Sequence, residues 1–411
     1  MEGANISFLS VDAARARVLS VIEPVPQSEP LPLEAAQGRI LAEPAPARTD
    51  LPPFDNSAMD GYAVRSADLD GAGPFRLEVG ARIIAGDTRR LSLAPGMAAR
   101  IFTGAPIPEG ADAVVIQENV TRAGRTVEIA RAPRPGQHIR RRGEDHRRGD
   151  PVLSAGQLLT AGRLALLAAT GVDRVRVRRQ LRVGLFSTGN ELLEPGSALG
   201  HGQIYNSNRI MLRAMMAQGW IALSDFGILP DDPGAIREAI RQAAGSQDAI
   251  VSSGGVSVGE EDHVLDALKR EDATLDVLKV AIRPGKPLTV GRVGRALFVG
   301  LPGNPYAAAV TFLQIARPAL RRAAGLVEED DSWIPAVSGF DYRRQPGRRE
   351  YIPVTWSARD ALGRPIVQRL GQGGSASLGP LAMARGIAMI EAEREQLSQG
   401  QPLRVEPLPG G

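Results

Sequence analysis

Three short segments place glycines with hydroxyl and amide side chains directly after apolar runs. Ser187-Thr188-Gly189-Asn190-Glu191 follows Leu181–Phe186, Ser252-Ser253-Gly254-Gly255-Val256-Ser257 follows Asp248–Val251, and Leu301-Pro302-Gly303-Asn304-Pro305 follows Leu297–Gly300. Glycine lets backbone N–H groups come close to an anion, and Ser or Thr hydroxyls add further donors. Asn304 suits an N-cap and Pro305 the first helical position, so a helix N-terminus is expected to face the same crevice. One such loop reads as an ordinary tight turn. Three at one end of one sheet read as a ligand site built from Ser187, Thr188, Gly189, Ser253, Gly254, Gly255, Ser257, Pro302, Gly303 and Asn304.

Carboxylates gather at the same expected edge: Glu191, Asp231, Asp232, Glu260, Glu261 and Asp262. Clustered acids repel unless they are protonated or bridged by a cation, and Mg²⁺ suits one or two carboxylates together with substrate phosphates. The plainer reading is decoration of helix first turns, and Asp232 before Pro233 reads as a cap. Glu191 and Asp262 are the favoured acids and candidate metal ligands. The turn Ile282-Arg283-Pro284-Gly285-Lys286-Pro287 sets a guanidinium and an ammonium three residues apart between prolines. That is a cationic cradle for a tetrahedral oxyanion, unless it is a solvated surface turn. Lys286 is one of three lysines, with Lys269 and Lys279, in a chain whose other basic residues are all arginine.

Strand–loop–helix repetition must position these groups. Leu181–Phe186, Asp248–Val251 and Leu297–Gly300 read as strands, and Val11–Leu19, Ile210–Ala217, Ala235–Ala244 and Ala307–Ala324 as helices. The pattern predicts a parallel sheet covered on both faces, with ligands outside the strands' carboxyl ends. From Asp55 to Asp150 the texture is alternating and turn-rich, with strands expected at Phe75–Val79, Ala113–Gln117 and Thr126–Ile129. The Pro-rich stretch Glu23–Pro53 reads as a connector with a short helix near Leu33–Leu41. Leu158–Gly171 reads as a helix stopped by its glycine. The acidic run Glu328–Asp331 marks a boundary before a small C-terminal β domain.

Composition narrows the class. The 411 residues are 43% hydrophobic and 23% charged, the balance of a globular protein and not of a disordered one. Absence of cysteine excludes disulfides, thiolate metal sites and cysteine nucleophiles, and makes the reducing cytoplasm the default address. No apolar run approaches the roughly 20 residues of a membrane span. A net charge of +3 does not predict nucleic-acid binding, and the stretch Arg140–Arg148 interleaves acids and lacks the aromatics that would stack on bases. The four histidines show no ligand spacing.

Taken in order, Pro53–Ala63, Thr103-Gly104-Ala105-Pro106, Arg142-Gly143-Glu144-Asp145, Ser187–Glu191, Ser253–Gly259 with Asp262, Arg283–Pro287 and Gly300–Pro305 resemble the molybdopterin molybdenumtransferases, the MoeA family, whose relatives include the E domain of gephyrin. The resemblance spans nearly the whole chain. It implies an elongated α/β multidomain homodimer. Residues 1–26 and 178–327 would form an αβα three-layer domain, and 27–48 with 150–177 a small connecting domain. Residues 49–149 would form a β-rich lobe, and 328–411 a C-terminal β-barrel. The implied reaction inserts molybdate into adenylylated molybdopterin with release of AMP, assisted by Mg²⁺, at a site between the αβα domain of one subunit and the β-rich lobe of the other.

By match to the family's motifs, Asp60, Thr103, Asp145, Glu191, Asp231 and Asp262 become functional polar residues. Arg283, Lys286 and Arg348 become oxyanion-side cations. Implied partners are the two substrates, a second copy of the chain, the molybdopterin adenylyltransferase and the proteins that accept the finished cofactor; no nucleic acid or membrane is implied. Competing readings are a molybdopterin adenylyltransferase and a non-catalytic dimeric scaffold. Three departures stand out: Asn190 where Asp is common, Arg283 where Lys is common, and Tyr306-Ala307 in place of a small residue followed by Ser.

Overall fold

The computed structural model describes residues 8–255, 263–271, 273–285, 287–327 and 332–408. Its central sheet has the order Ile221–Leu229, Leu181–Thr188, Ala249–Ser253, Ala296–Leu301, Pro287–Val293, Thr274–Lys279. The first four strands are parallel. Pro287–Val293 runs against both neighbours, so the sheet is mixed and not all-parallel as the sequence pattern suggested. The cause is local. A two-residue turn with Gly294 at φ +57° joins it to Ala296–Leu301, and a connection that short closes only antiparallel strands.

Alternate residues of each central strand enter separate cores. Val183, Leu185, Val251 and Val299 pack with Val11, Ala14 and Val18 of the helix Val11–Ser20 and with the 305–324 helix. Phe186, Ile250 and Phe298 face Ile236, Ile240, Val264 and Leu268 on the opposite side. That period-two division is what a sheet buried on both faces requires. The expected helix over Ala307–Ala324 is present as 305–324, with a π-helical middle at Phe312–Ala316, and ends at Gly325 with φ +85°.

The connector differs from expectation. Only Leu33–Ala35 forms a helical turn, because Ile40 and Leu41 pair as bridges with Leu158 and Val177. The same pairing draws Leu158 out of the following helix, which spans Ala161–Ala169. Ser28–Pro32 pairs with Arg174–Arg178 beside it. In the β-rich lobe six strands form one sheet, in the order Ala113–Ile116, Gly61–Val64, Met97–Ile101, Phe75–Ile83, Thr126–Ile129, Val120–Ala123.

After the acidic run, which lies outside the described residues, Arg349–Arg359, Pro365–Arg369, Ile334–Ser338, Pro402–Pro407 and Gly386–Ile390 form a five-stranded barrel. It closes where Gly386–Ile390 pairs back onto Arg349–Arg359. Two ties fix it to the αβα layers. Ile282–Arg283 adds as a short parallel strand beside Arg349-Glu350. Glu406, 1% exposed, accepts from Gln314 Nε2 at 2.8 Å and pairs with Arg317 of the long helix. Among the described residues, no helix is long and apolar enough to cross a membrane.

Gly61 shows how tightly the β-rich lobe is built: a Cβ there would lie 2.0 Å from the Val115 carbonyl oxygen on the neighbouring strand. Backbone cannot give way as a flexible side chain would. Gly61→Ala is expected to destabilise the lobe by about 2–3 kcal/mol, read as a lower urea midpoint; an unchanged midpoint would show that the two strands can separate freely.

Candidate active site

The three glycine-rich loops leave the carboxyl ends of adjacent parallel strands and open onto one cleft of 1180 Å³. One wall holds Thr188, Gly189, Glu191, Asp231, Ser253, Gly254, Gly255, Pro302, Gly303 and Asn304; Arg283 stands beside them. The barrel supplies the opposite wall: Tyr342, Arg348, Glu350, Arg369 and the loop Gln372–Ala376. Twelve of the residues singled out in the sequence therefore share one cavity. Ser187 does not reach it; the side chain is buried, 3.5 Å from Asn206 Oδ1, and supports the loop from behind. Ser257, Asp262 and Lys286, with Glu260 and Glu261, lie outside the described residues.

Glycine is obligatory where the loops meet. Gly254 and Gly255 adopt φ +91° and +65°, and a Cβ on either would press on Thr188, at 2.9 Å from its carbonyl and 2.7 Å from its hydroxyl respectively. Thr188 Oγ1 is buried there without a protein partner. Asn208 stitches two of the loops together, its Nδ2 donating to Ser253 Oγ at 2.8 Å and to the Gly303 carbonyl at 2.7 Å.

The helix N-terminus at Pro305 faces the cleft, as expected. Its first free amides do not face open space. Tyr306 N–H donates to the Ser375 carbonyl at 2.9 Å and Ala307 N–H to the same oxygen at 3.3 Å. Asn304 precedes the helix but makes no side-chain cap; its Nδ2 donates instead to Ser375 Oγ at 2.9 Å. A helix must satisfy its first-turn donors, and here the barrel loop does so. These two amides are therefore not free to meet a ligand. Tyr306 adds a second anchor: buried, its hydroxyl donates to the Tyr351 carbonyl at 2.9 Å, and burial pushes its phenol well up.

Besides Glu350 of the barrel, two carboxylates line the cleft, Glu191 and Asp231. Asn190 is explained by the second. Its N–H donates to Asp231 Oδ2 at 3.0 Å, while Asp231 N–H donates to Asn190 Oδ1 at 3.1 Å. The amide side chain thus clips two loops together, a bond that a carboxylate beside Asp231 would strain by repulsion. Asp232 acts as the helix cap anticipated, accepting from Ala235 N–H at 2.7 Å. Among the described residues, no three metal-ligating side chains cluster. Two acids in a cleft lined by glycine-rich loops nevertheless fit Mg²⁺, which takes few protein ligands and completes its shell with phosphate and water.

Asp60, Thr103 and Asp145 lie on the β-rich lobe and do not line this cleft within one chain. The first two are together: Asp60 Oδ1 accepts from Thr103 N–H at 2.8 Å and from its hydroxyl at 2.7 Å. Those two bonds hold the Asp60 carboxyl below the usual carboxylate range. Asp145 Oδ1 lies 3.1 Å from His146 Nδ1.

Comparison with known proteins follows the same outline. Residues 9–171 match the MoeA N-terminal region (domain I and II), residues 184–322 a "Probable molybdopterin binding domain", and residues 335–408 the MoeA C-terminal region (domain IV). The chain is 37% identical over 403 residues to a molybdopterin molybdenumtransferase of Haemophilus influenzae, covering 98% of this chain and 99% of that one. It is 39% identical over 389 residues to the enzyme of that name from a Nostoc species, covering 93% and 89%. The crystal structure of the molybdopterin biosynthesis MoeA protein of Pyrococcus horikoshii superposes with a TM-score of 0.81 at 28% identity, over 98% of this chain and all of that one. The chain belongs to the MoeA family. It is a transferase of molybdenum cofactor biosynthesis.

Family membership gives meaning to residues that sequence reasoning missed. Asn208, Tyr342, Glu350, Arg369 and Ser375 all line the MoeA cleft. A signal existed for Ser375: Gly371-Gln372-Gly373-Gly374-Ser375 follows a strand just as the three recognised loops do. Tyr342, Glu350 and Arg369 carried none, being single residues in a β domain that looked purely structural.

Asp60 provides a pH test. Because its folded pKa is lowered, the contribution of the Thr103 bonds is present above the unfolded pKa and is lost as pH falls through the folded value. Thr103→Val removes the hydroxyl bond, so the Asp60 carboxyl resonance should titrate at higher pH, toward the ordinary value; an unmoved titration curve would remove Thr103 as the cause.

Proposed function

We propose that this MoeA-family protein inserts molybdate into adenylylated molybdopterin with release of AMP, in a Mg²⁺-dependent reaction carried out by a homodimer in the cytoplasm. The observation that carries the reading is the meeting, in one cleft, of three glycine-rich loops, the acids Glu191 and Asp231, and the guanidinium groups of Arg283, Arg348 and Arg369. A phosphate-bearing pterin needs donors that approach closely, and a small tetrahedral oxyanion needs fixed cations beside it. Both are present, on facing walls.

In this reading Thr188, Ser253 and the flanking glycines hold the pterin nucleotide while the barrel wall holds molybdate. Glu191 and Asp231, with Asp262, would hold the metal, which supplies charge neutralisation at the phosphoanhydride when bound. Arg283, Arg348 and Lys286 orient the oxyanion toward the dithiolene sulfurs and stabilise negative charge on it. Asp60, Thr103 and Asp145 would come from the partner's β-rich lobe. Exposed apolar side chains support that meeting: Phe54 and Met59 precede Asp60 on the lobe, and Ile204 and Tyr205 stand at the cleft. The finished cofactor would pass to the apoproteins that accept it, and its precursor would come from the molybdopterin adenylyltransferase.

Purified protein given adenylylated molybdopterin should release AMP only when Mg²⁺ and molybdate are both present, and ATP should not substitute for that substrate. Glu191→Gln or Lys286→Ala should lower the rate by about 10²-fold or more without loss of fold. No release from authentic substrate would remove the reading, and full activity in both variants would misplace the site.

A further inference from the structure

Glu350 is a buried carboxylate that the reaction outlined above does not use. It stands directly opposite Arg283 in the short parallel pairing of Ile282–Arg283 with the barrel strand. Its side chain is 8% exposed, and its Oε1 lies 3.3 Å from Arg283 Nε, an ion pair not aligned as a hydrogen bond. The same oxygen accepts from the Tyr342 hydroxyl at 3.0 Å. On the other side Arg344 Nε lies 3.2 Å from Oε2, close enough for ion pairing though not aligned for a hydrogen bond. Arg344 cannot move to serve a ligand: its side chain is 1% exposed and its guanidinium donates to the carbonyls of Gln345, Glu391 and Arg348. Arg283 differs. It is half exposed and lines the cleft, and among the described residues its two terminal nitrogens have no protein partner.

We infer that Glu350 is a positioning residue for oxyanion binding: its charge holds Arg283 by an ion pair on the Nε side and leaves the terminal Nη1 and Nη2 fork for two oxygens of molybdate. The inference rests on the reaction proposed above. A buried anion flanked by two guanidinium groups is stable because Arg344 supplies the permanent counter-charge and Tyr342 a hydrogen bond. Arg283 then contributes its remaining charge to the cleft. Tyr342 extends the arrangement, because Arg369 stacks over its ring at 4.6 Å and brings a third cation to the same wall. Arginine suits position 283 in this arrangement where lysine would not. An ammonium group has no separate Nε edge, so pairing with Glu350 would draw its only charge away from the ligand.

The test uses the full-length protein, with initial rates of AMP release at varied molybdate and calorimetric titration of molybdate alone. Glu350→Gln keeps the shape and removes the charge. It should raise the molybdate KM and Kd about tenfold while saturating molybdate restores kcat to within about twofold, and the KM for adenylylated molybdopterin should stay unchanged. In an Arg283→Ala background the same change should have no further effect on molybdate affinity, a non-additivity that mere support of the barrel would not produce. An unaltered molybdate KM, a lost kcat that molybdate does not restore, or full additivity with Arg283→Ala would overturn the inference. If Glu350→Gln fails to fold, Tyr342→Phe decides: it removes one hydrogen bond to Glu350 and should raise the molybdate KM about threefold, whereas no change counts against the proposal. Wild-type protein that releases no AMP would sink the reaction itself, an outcome distinct from an active wild type with an indifferent Glu350 variant.

Discussion

A helix that begins beside a ligand cleft exposes amide donors that something must satisfy. In this chain the barrel does it: the Ser375 carbonyl receives the first two free amides of the helix at Pro305, and the Ser375 hydroxyl receives Asn304. The αβα layers and the barrel are thereby held at hydrogen-bond distance across the floor of the cleft. Gln314 and Arg317 on Glu406, and the Ile282–Arg283 strand on Arg349-Glu350, repeat the tie at two other heights. Without those contacts the glycine loops and the barrel's arginines would be separate surfaces, each too poor in chemistry to make a site.

That arrangement divides the labour electrostatically. One wall offers backbone donors, hydroxyls and two acids, suited to a phosphate-bearing ligand and its metal. The other offers the guanidinium groups of Arg348 and Arg369, with Arg283 beside the buried Glu350, suited to an oxyanion that must be oriented and then given up. Using the helix amides for architecture frees the arginines for recognition. Three residues fit this division: Asn190 closes a loop, Tyr306 locks the helix to the barrel, and Arg283 can be shared between a buried acid and the cleft.

Much of this was readable from sequence, for a physical reason. Loops that need glycine at positive φ, such as Gly254 and Gly255, announce themselves because no other residue fits. Strands buried on both faces read as apolar runs, so Leu181–Phe186 and Leu297–Gly300 were visible. Direction was not: a parallel and an antiparallel neighbour look alike until the length of the connecting turn is considered, and here the two-residue link at Gly294 decides it. The helix near Leu33–Leu41 failed because local propensity yielded to pairing with residues more than a hundred positions away. Glu350 was hidden because its role depends on which strand lies beside it, and sequence spacing from Arg283 carries no trace of that neighbour.

Convergence of cations from two parts of the fold upon one small oxyanion is the central claim. The most direct measurement is a crystal structure of the protein soaked with molybdate, using the metal's anomalous signal to locate it. The account predicts molybdenum in the cleft between the glycine loops and the barrel, with guanidinium nitrogens of Arg283 and Arg348 at hydrogen-bond distance from its oxygens. Molybdenum bound on another face, with those two arginines turned to solvent, would contradict it.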